Sequence, residues 1–144
     1  MKVTKVIKKL KLKPLKPEGG LFSETYRSKE KIEIDGKKRN LSTAIYYLLR
    51  KGESCKIHRL KSDEIYHFYL GDPVNLYLFY PDGTSQKKVL GTNILKGEVP
   101  QVVVPKMTFQ KAKLKRGGKF ALMGTTVSPG FDIEDFDMGK TEKS

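Results

Sequence analysis

The stretch Gly52-Glu53-Ser54-Cys55-Lys56-Ile57-His58-Arg59-Leu60-Lys61-Ser62-Asp63-Glu64-Ile65-Tyr66-His67-Phe68-Tyr69-Leu70-Gly71 decides how this chain is read. Ser54–Arg59 and Glu64–Leu70 read as strands, parted by a short polar break and closed by Gly71-Asp72-Pro73. Within it Gly52, His58, Glu64 and Gly71 stand at the spacing G-x5-H-x-L-x3-E-x6-G, and the only cysteine, Cys55, lies three residues before His58.

Outward from this stretch the same texture continues. Phe22–Ser28, Lys31–Ile34, Leu41–Leu49, Val74–Tyr80, Ser85–Leu90, Gln101–Val104, Thr108–Leu114 and Phe120–Val127 are apolar or alternating runs of strand length. Asp35-Gly36, Pro81-Asp82-Gly83 and Arg116-Gly117-Gly118 separate them. In such turns Gly supplies positive φ and Pro fixes a negative one. Many short strands at near-regular spacing predict an all-β sandwich or barrel. Before it, Val3, Val6, Ile7 and Leu10 follow helical spacing with lysines on the other face, so a helix is expected over about 2–13, ended by Pro14. At 144 residues the chain reads as a single domain: the helix, a barrel over about 20–138, and a polar tail over 139–144.

Composition narrows the class. Hydrophobic residues make up 38% and charged residues 31%, the balance of a globular domain. No run is apolar enough to span a membrane, and lysines interrupt every short apolar stretch from Val3 to Leu15, so no signal-peptide core is read there. A lone cysteine forms no internal disulfide and fits a reducing compartment, so a cytoplasmic location is expected. The net charge of +13 raises nucleic-acid binding, but residues 1–61 hold 18 Lys/Arg against 6 Asp/Glu while 62–144 hold 11 against 10. The excess is an N-terminal, lysine-dominated face without zinc-finger, RNP or Walker spacing, so neither nucleic acid nor membrane is expected as a partner.

With the first spacing in place, a second appears downstream: Pro105-Lys106-Met107-Thr108-Phe109-Gln110. The two together resemble the cupin motifs G-x5-H-x-H-x3-E-x6-G and P-x-G-x2-H. Leu60 stands at the second His, Met107 at the Gly and Gln110 at the last His. A small single-domain cupin subgroup of unknown function is similar at more points. These include Lys16-Pro17-Glu18-Gly19-Gly20-Leu21-Phe22-Ser23-Glu24-Thr25-Tyr26-Arg27-Ser28, Ser62-Asp63-Glu64-Ile65-Tyr66-His67-Phe68, Pro100-Gln101-Val102-Val103-Val104-Pro105 and Ser128-Pro129-Gly130-Phe131-Asp132-Ile133-Glu134-Asp135-Phe136. The chain departs from the subgroup at Lys16, where a His is usual, at Met107, and at Phe109, where a Trp is usual. The resemblance covers roughly residues 5–138 and implies a double-stranded β-helix, the cupin jelly-roll barrel, usually paired into a homodimer.

It also implies a site. Cupin enzymes hold iron, manganese or nickel with two or three His and a carboxylate. Here those positions are His58, Glu64 and Gln110, which would hold a divalent metal (Zn, Ni, Fe or Mn) weakly, since an amide is a poor ligand and Leu60 is none. Without metal, His58 and Glu64 are expected as a hydrogen-bonded acid–base pair of a sugar or nucleotide-sugar isomerase or epimerase. Arg27, Tyr47, Tyr66, His67, Phe109 and Gln110 are the candidates for holding the small polar ligand, with Tyr26, Tyr47 and Tyr66 as hydroxyl donors. A barrel that binds without turnover and a weakly metal-dependent oxygenase remain open beside it. By strand alternation, His67 should face away from Glu64 unless a bulge intervenes. Glu18-Gly19-Gly20 reads as a tight turn into the sheet, Cys55 as a small core residue, and the acidic run from Asp132 to Asp137 as a cover over the sheet edge.

Overall fold

Alternation of apolar and polar residues along strands such as 74–79, 101–104 and 109–114 leaves an apolar face to bury on each sheet, and two packed sheets result. The computed structural model describes residues 1–139. Its elements are α1 (Val3–Leu10), β1 (Lys13–Pro14), β2 (Leu21–Arg27), β3 (Lys31–Ile34), β4 (Lys37–Asn40), β5 (Thr43–Arg50), β6 (Ser54–Arg59), β7 (Asp63–Gly71), β8 (Val74–Phe79), β9 (Ser85–Leu90), β10 (Gln101–Val104), β11 (Phe109–Leu114), β12 (Phe120–Ser128) and β13 (Asp137–Met138). Short 3₁₀ turns fall at Ile94–Lys96 and Ile133–Asp135. One sheet has the order β1-β2-β5-β12-β7-β10, the other β13-β6-β11-β8-β9, and β3 with β4 forms a separate hairpin. All strand pairs in these sheets are antiparallel.

Tyr47, Leu49, Tyr66 and Met123 from the six-stranded sheet meet Cys55, Val74, Leu76, Leu78 and Ala112 from the five-stranded one, all at most 1% exposed. Burying each large aliphatic here stabilises the fold by roughly 2–3 kcal/mol before entropy is charged. The outer face of the six-stranded sheet carries a second cluster, Leu12, Leu21, Leu48 and Leu122, covered by Val3, Val6, Ile7 and Leu10 of α1. The helix stops before the expected residue 13. Lys11 takes a left-handed conformation, and the Leu12 amide reaches back to the Ile7 carbonyl, burying Leu12 beneath the last turn.

Three short elements escaped the sequence. β1 and β13 have two residues each, and β4 (Lys-Lys-Arg-Asn) shows no apolar alternation. The expected strand Leu41–Leu49 begins at Thr43 instead, because the Ser28 hydroxyl accepts from the Leu41 and Ser42 amides and holds that corner off the ladder. Beyond Gly139, the expected polar tail lies outside the described residues.

Candidate functional site

Two irregularities and a glycine pair assemble the polar end of the barrel. Alternation would send Cys55 and His58, three residues apart, to opposite faces. In β6, however, His58 pairs with Gln110 and Cys55 with Ala112, so three steps on one strand match two on the other. This bulge turns both side chains inward, and each is 1% exposed. The Glu18 carbonyl accepts the Lys56 amide at 2.7 Å within the bulge, which seats Glu18 beside them. That close approach depends on Gly19 and Gly20. Both have positive φ, and a Cβ would come within 2.3 Å of the Ser54 carbonyl oxygen at Gly19 and 2.7 Å of the Tyr47 hydroxyl at Gly20.

His58 stacks on Phe136, with ring centroids 4.9 Å apart, and its Nδ1 lies 2.8 Å from the Lys56 carbonyl. Nδ1 therefore carries the proton, and Nε2 holds a lone pair. Nε2 lies 3.6 Å from Glu18 Oε1 and has no hydrogen-bond partner among the described residues. Cys55 Sγ lies 3.5 Å from Glu18 Oε2 and 3.6 Å from His58 Nδ1. Burial lowers the His58 pKa despite the charge of Glu64 and the Lys56 carbonyl, and burial with the Glu18 charge raises that of the Cys55 thiol well above its usual range.

Glu64 belongs to a different network. Gln110 Nε2 donates to Glu64 Oε1 at 2.8 Å, and the Gln110 carbonyl oxygen accepts from the Tyr66 hydroxyl. Burial, reinforced by the Glu18 charge, raises the Glu64 pKa to about 7, and burial raises that of Glu18 to about 7. The expected His58–Glu64 hydrogen bond is not formed: the imidazole faces Glu18 and the carboxylate faces Gln110.

Glu18 and Glu64 both reach a cavity of about 590 Å³ at this end of the barrel. Phe22, Ile45, Leu60 and Val127 form its walls, Phe131 and Ile133 of the C-terminal segment cover it, and Lys13, Lys16 and Arg27 bring positive charge to its lining. Arg27 is already engaged: it pairs with both Glu24 oxygens and donates to Asn40 Oδ1 and the Phe131 carbonyl, so it clamps the cover in place.

The other candidates fall into three groups. Tyr47 and Tyr66 are buried beneath the cavity, one donating to the Gly19 carbonyl and the other to Gln110, and burial raises both pKa values well above the usual range, which suits positioning and not proton donation. Tyr26 is 56% exposed on β2. His67 and Phe109 are corrected from their expected place in the ligand site. His67 lies on the outer face, near Thr126 Oγ1 and Gln101, because no bulge intervenes between it and Glu64. Phe109 points away from Gln110 and lies under the Arg59 guanidinium at 4.6 Å. Met107 keeps the backbone of the Gly it replaces, with φ +66°.

The cupin metal position does not fit this chain. Leu60 offers no donor, and the Gln110 carbonyl oxygen, the atom that would coordinate, is occupied by the Tyr66 hydroxyl. Glu18 was not among the expected site residues. The glycine pair after it was the available signal, since two glycines in a row mark a backbone approach to something.

Comparison with known proteins agrees with the fold. A Leishmania major hypothetical protein has a TM-score of 0.92 at 30% identity, covering 97% of this chain and 88% of its own. Protein SO0799 from Shewanella oneidensis scores 0.89 at 35% identity, covering 99% and 87%. Bacillus subtilis oxalate decarboxylase, a protein with Mn(II) centres, scores 0.62 at 15% identity over 88% of this chain and 30% of its own, a likeness of fold alone. The Saccharomyces cerevisiae uncharacterized protein YML079W is 33% identical over 139 residues, 87% of this chain and 69% of its own. Residues 4–139 match the model of the cupin superfamily family DUF985, and the chain belongs to that family.

Proposed function

We propose that the barrel binds a small polar metabolite, a sugar or nucleotide-sugar, and moves a proton on it with Glu64, as an isomerase or epimerase does. The observation that carries this reading is the Glu64 carboxyl, buried at the cavity and oriented by Gln110. A carboxyl held in one pose beside apolar walls exchanges protons with a bound carbon acid without reorganising. Lys13 and Lys16 suit a phosphate or sugar-acid group near the opening, and the mixed lining suits a ring with one apolar face. His58 acts behind the site and does not touch the ligand, since Glu18 stands between it and the cavity. Oxygenase chemistry at the cupin metal position is disfavoured by the donors present, Leu60 and an engaged Gln110.

The test is thermal stabilisation by a panel of hexoses, sugar acids and nucleotide-sugars, followed by chromatography of the stabilising compounds for isomerised product. A compound that stabilises the wild type and is converted, with conversion lost in Glu64→Gln, supports the reading. Stabilisation without conversion reduces it to binding alone, and conversion that Glu64→Gln leaves intact assigns the proton transfer to another residue.

The same reading takes the chain as a homodimer through the outer face of the six-stranded sheet, where Tyr69 and Val103 are 50% and 53% exposed. Light scattering should return the mass of two chains.

A further inference from the structure

We propose that Glu18, Cys55 and His58 form a transition-metal site, which shares His58 with the cupin metal position but takes Glu18 and Cys55 in place of Glu64 and Gln110. The three side chains offer ligand atoms that all lie within 4.8 Å of one another. Tetrahedral zinc, with bonds of about 2.3 Å to sulfur and about 2.0–2.1 Å to nitrogen or oxygen, holds neighbouring donors about 3.3–3.6 Å apart. The Glu18 carboxylate faces both other donors at such a separation, Cys55 Sγ 3.5 Å from its Oε2 and His58 Nε2 3.6 Å from its Oε1.

A second observation points to a ligand. His58 Nε2 is buried, carries a lone pair and has no hydrogen-bond partner among the described residues, although it faces a carboxylate. Leaving such an atom unsatisfied costs roughly 1–3 kcal/mol, which a bound cation would offset. The Lys56 carbonyl on Nδ1 fixes both ring orientation and tautomer, the arrangement that metal-ligating histidines use. One sulfur, one imidazole and one carboxylate select zinc or cobalt over magnesium or calcium. Three protein donors leave a fourth position for water or another ligand. Loading releases the Cys55 thiol proton to solvent as the thiolate takes the cation.

The site goes beyond the proton-moving role of Glu64, and its test needs no substrate. Full-length chain stripped with chelator and kept reduced is titrated with Co(II). The expected result is one equivalent bound, with thiolate-to-cobalt charge-transfer absorption and the intense visible bands of four-coordinate cobalt. Because Cys55 is the only cysteine, that charge-transfer band has one source. Cys55→Ser should lose the band and weaken binding about 100-fold, His58→Ala should weaken it similarly, and Glu64→Gln should leave the spectrum unchanged. Absence of the charge-transfer band in the wild type at saturating cobalt overturns the site, as does a spectrum that depends on Glu64 and not on Cys55. If cobalt binds as expected and no metabolite is converted, the metal site stands and the proton-moving reading falls.

Discussion

Two side-chain clusters meet at one end of this barrel, and they differ in where their geometry comes from. Glu64 and Gln110 sit where the cupin motifs place them, on β7 and β11, yet one donor has become Leu60 and the other is locked to Tyr66. Glu18, Cys55 and His58 have better donors, and two of the three lie off the motif positions, brought in by a bulge and a glycine turn. A motif therefore preserves a backbone frame, while the chemistry moves to whatever side chains irregular backbone turns inward.

Mutations that separate the clusters test this directly. The largest effect is expected from Glu64→Gln, which should lower turnover of any identified substrate about a thousandfold while cobalt uptake stays the same. Next is Cys55→Ser, which should leave conversion by the chelated enzyme intact; equal loss of both properties would merge the clusters into one.

The pH dependence of stability is a third comparison. A carboxyl whose pKa rises from 4.5 unfolded to about 7 folded favours the native state fully below 4.5 and loses that contribution as pH climbs through 7. Denaturant unfolding of chelated protein should therefore show stability falling between pH 4.5 and 7, by on the order of 2–3 kcal/mol for one such group. Glu18 carries the same shift, so Glu64→Gln should remove about half of the fall; an unchanged slope would assign it to other groups. Tyr66→Phe frees the Gln110 carbonyl and should cost about tenfold in turnover, through positioning. The smallest effect is expected at Met107→Gly. Relief of a positive φ offsets the entropy of an added glycine, for a gain of about 0.5–1 kcal/mol in chemical denaturation.

Much of the fold was legible because turn residues bound runs of strand length, and burial imposes period 2 on some of them, such as β8 and β10. β3, β6, β9 and β10 fall on their expected residues, and the Leu12 and Leu48 cluster explains why a lysine-rich helix needs one apolar stripe. β4, β1 and β13 were not legible, being charged or only two residues long. His58, Glu64 and Gln110 lie together at one end of the barrel, but the expected pairing of His58 with Glu64 is not formed, since alternation says which face a residue takes and not which partner it finds. Cys55 was read as a small core residue and is one, but the bulge that sets it beside His58 leaves no trace in the spacing. Glu18 reaches His58 across the barrel end, a contact between residues far apart in sequence that no local pattern encodes.

The most direct measurement of the central claim is deuterium wash-in. Stabilising sugars or nucleotide-sugars are incubated in D₂O with wild type, Glu64→Gln and Cys55→Ser, all chelated, and the carbon-bound positions are followed by proton NMR. The account expects loss of one C–H signal with wild type and Cys55→Ser and none with Glu64→Gln. Exchange that persists in Glu64→Gln, or vanishes in Cys55→Ser alone, would contradict it.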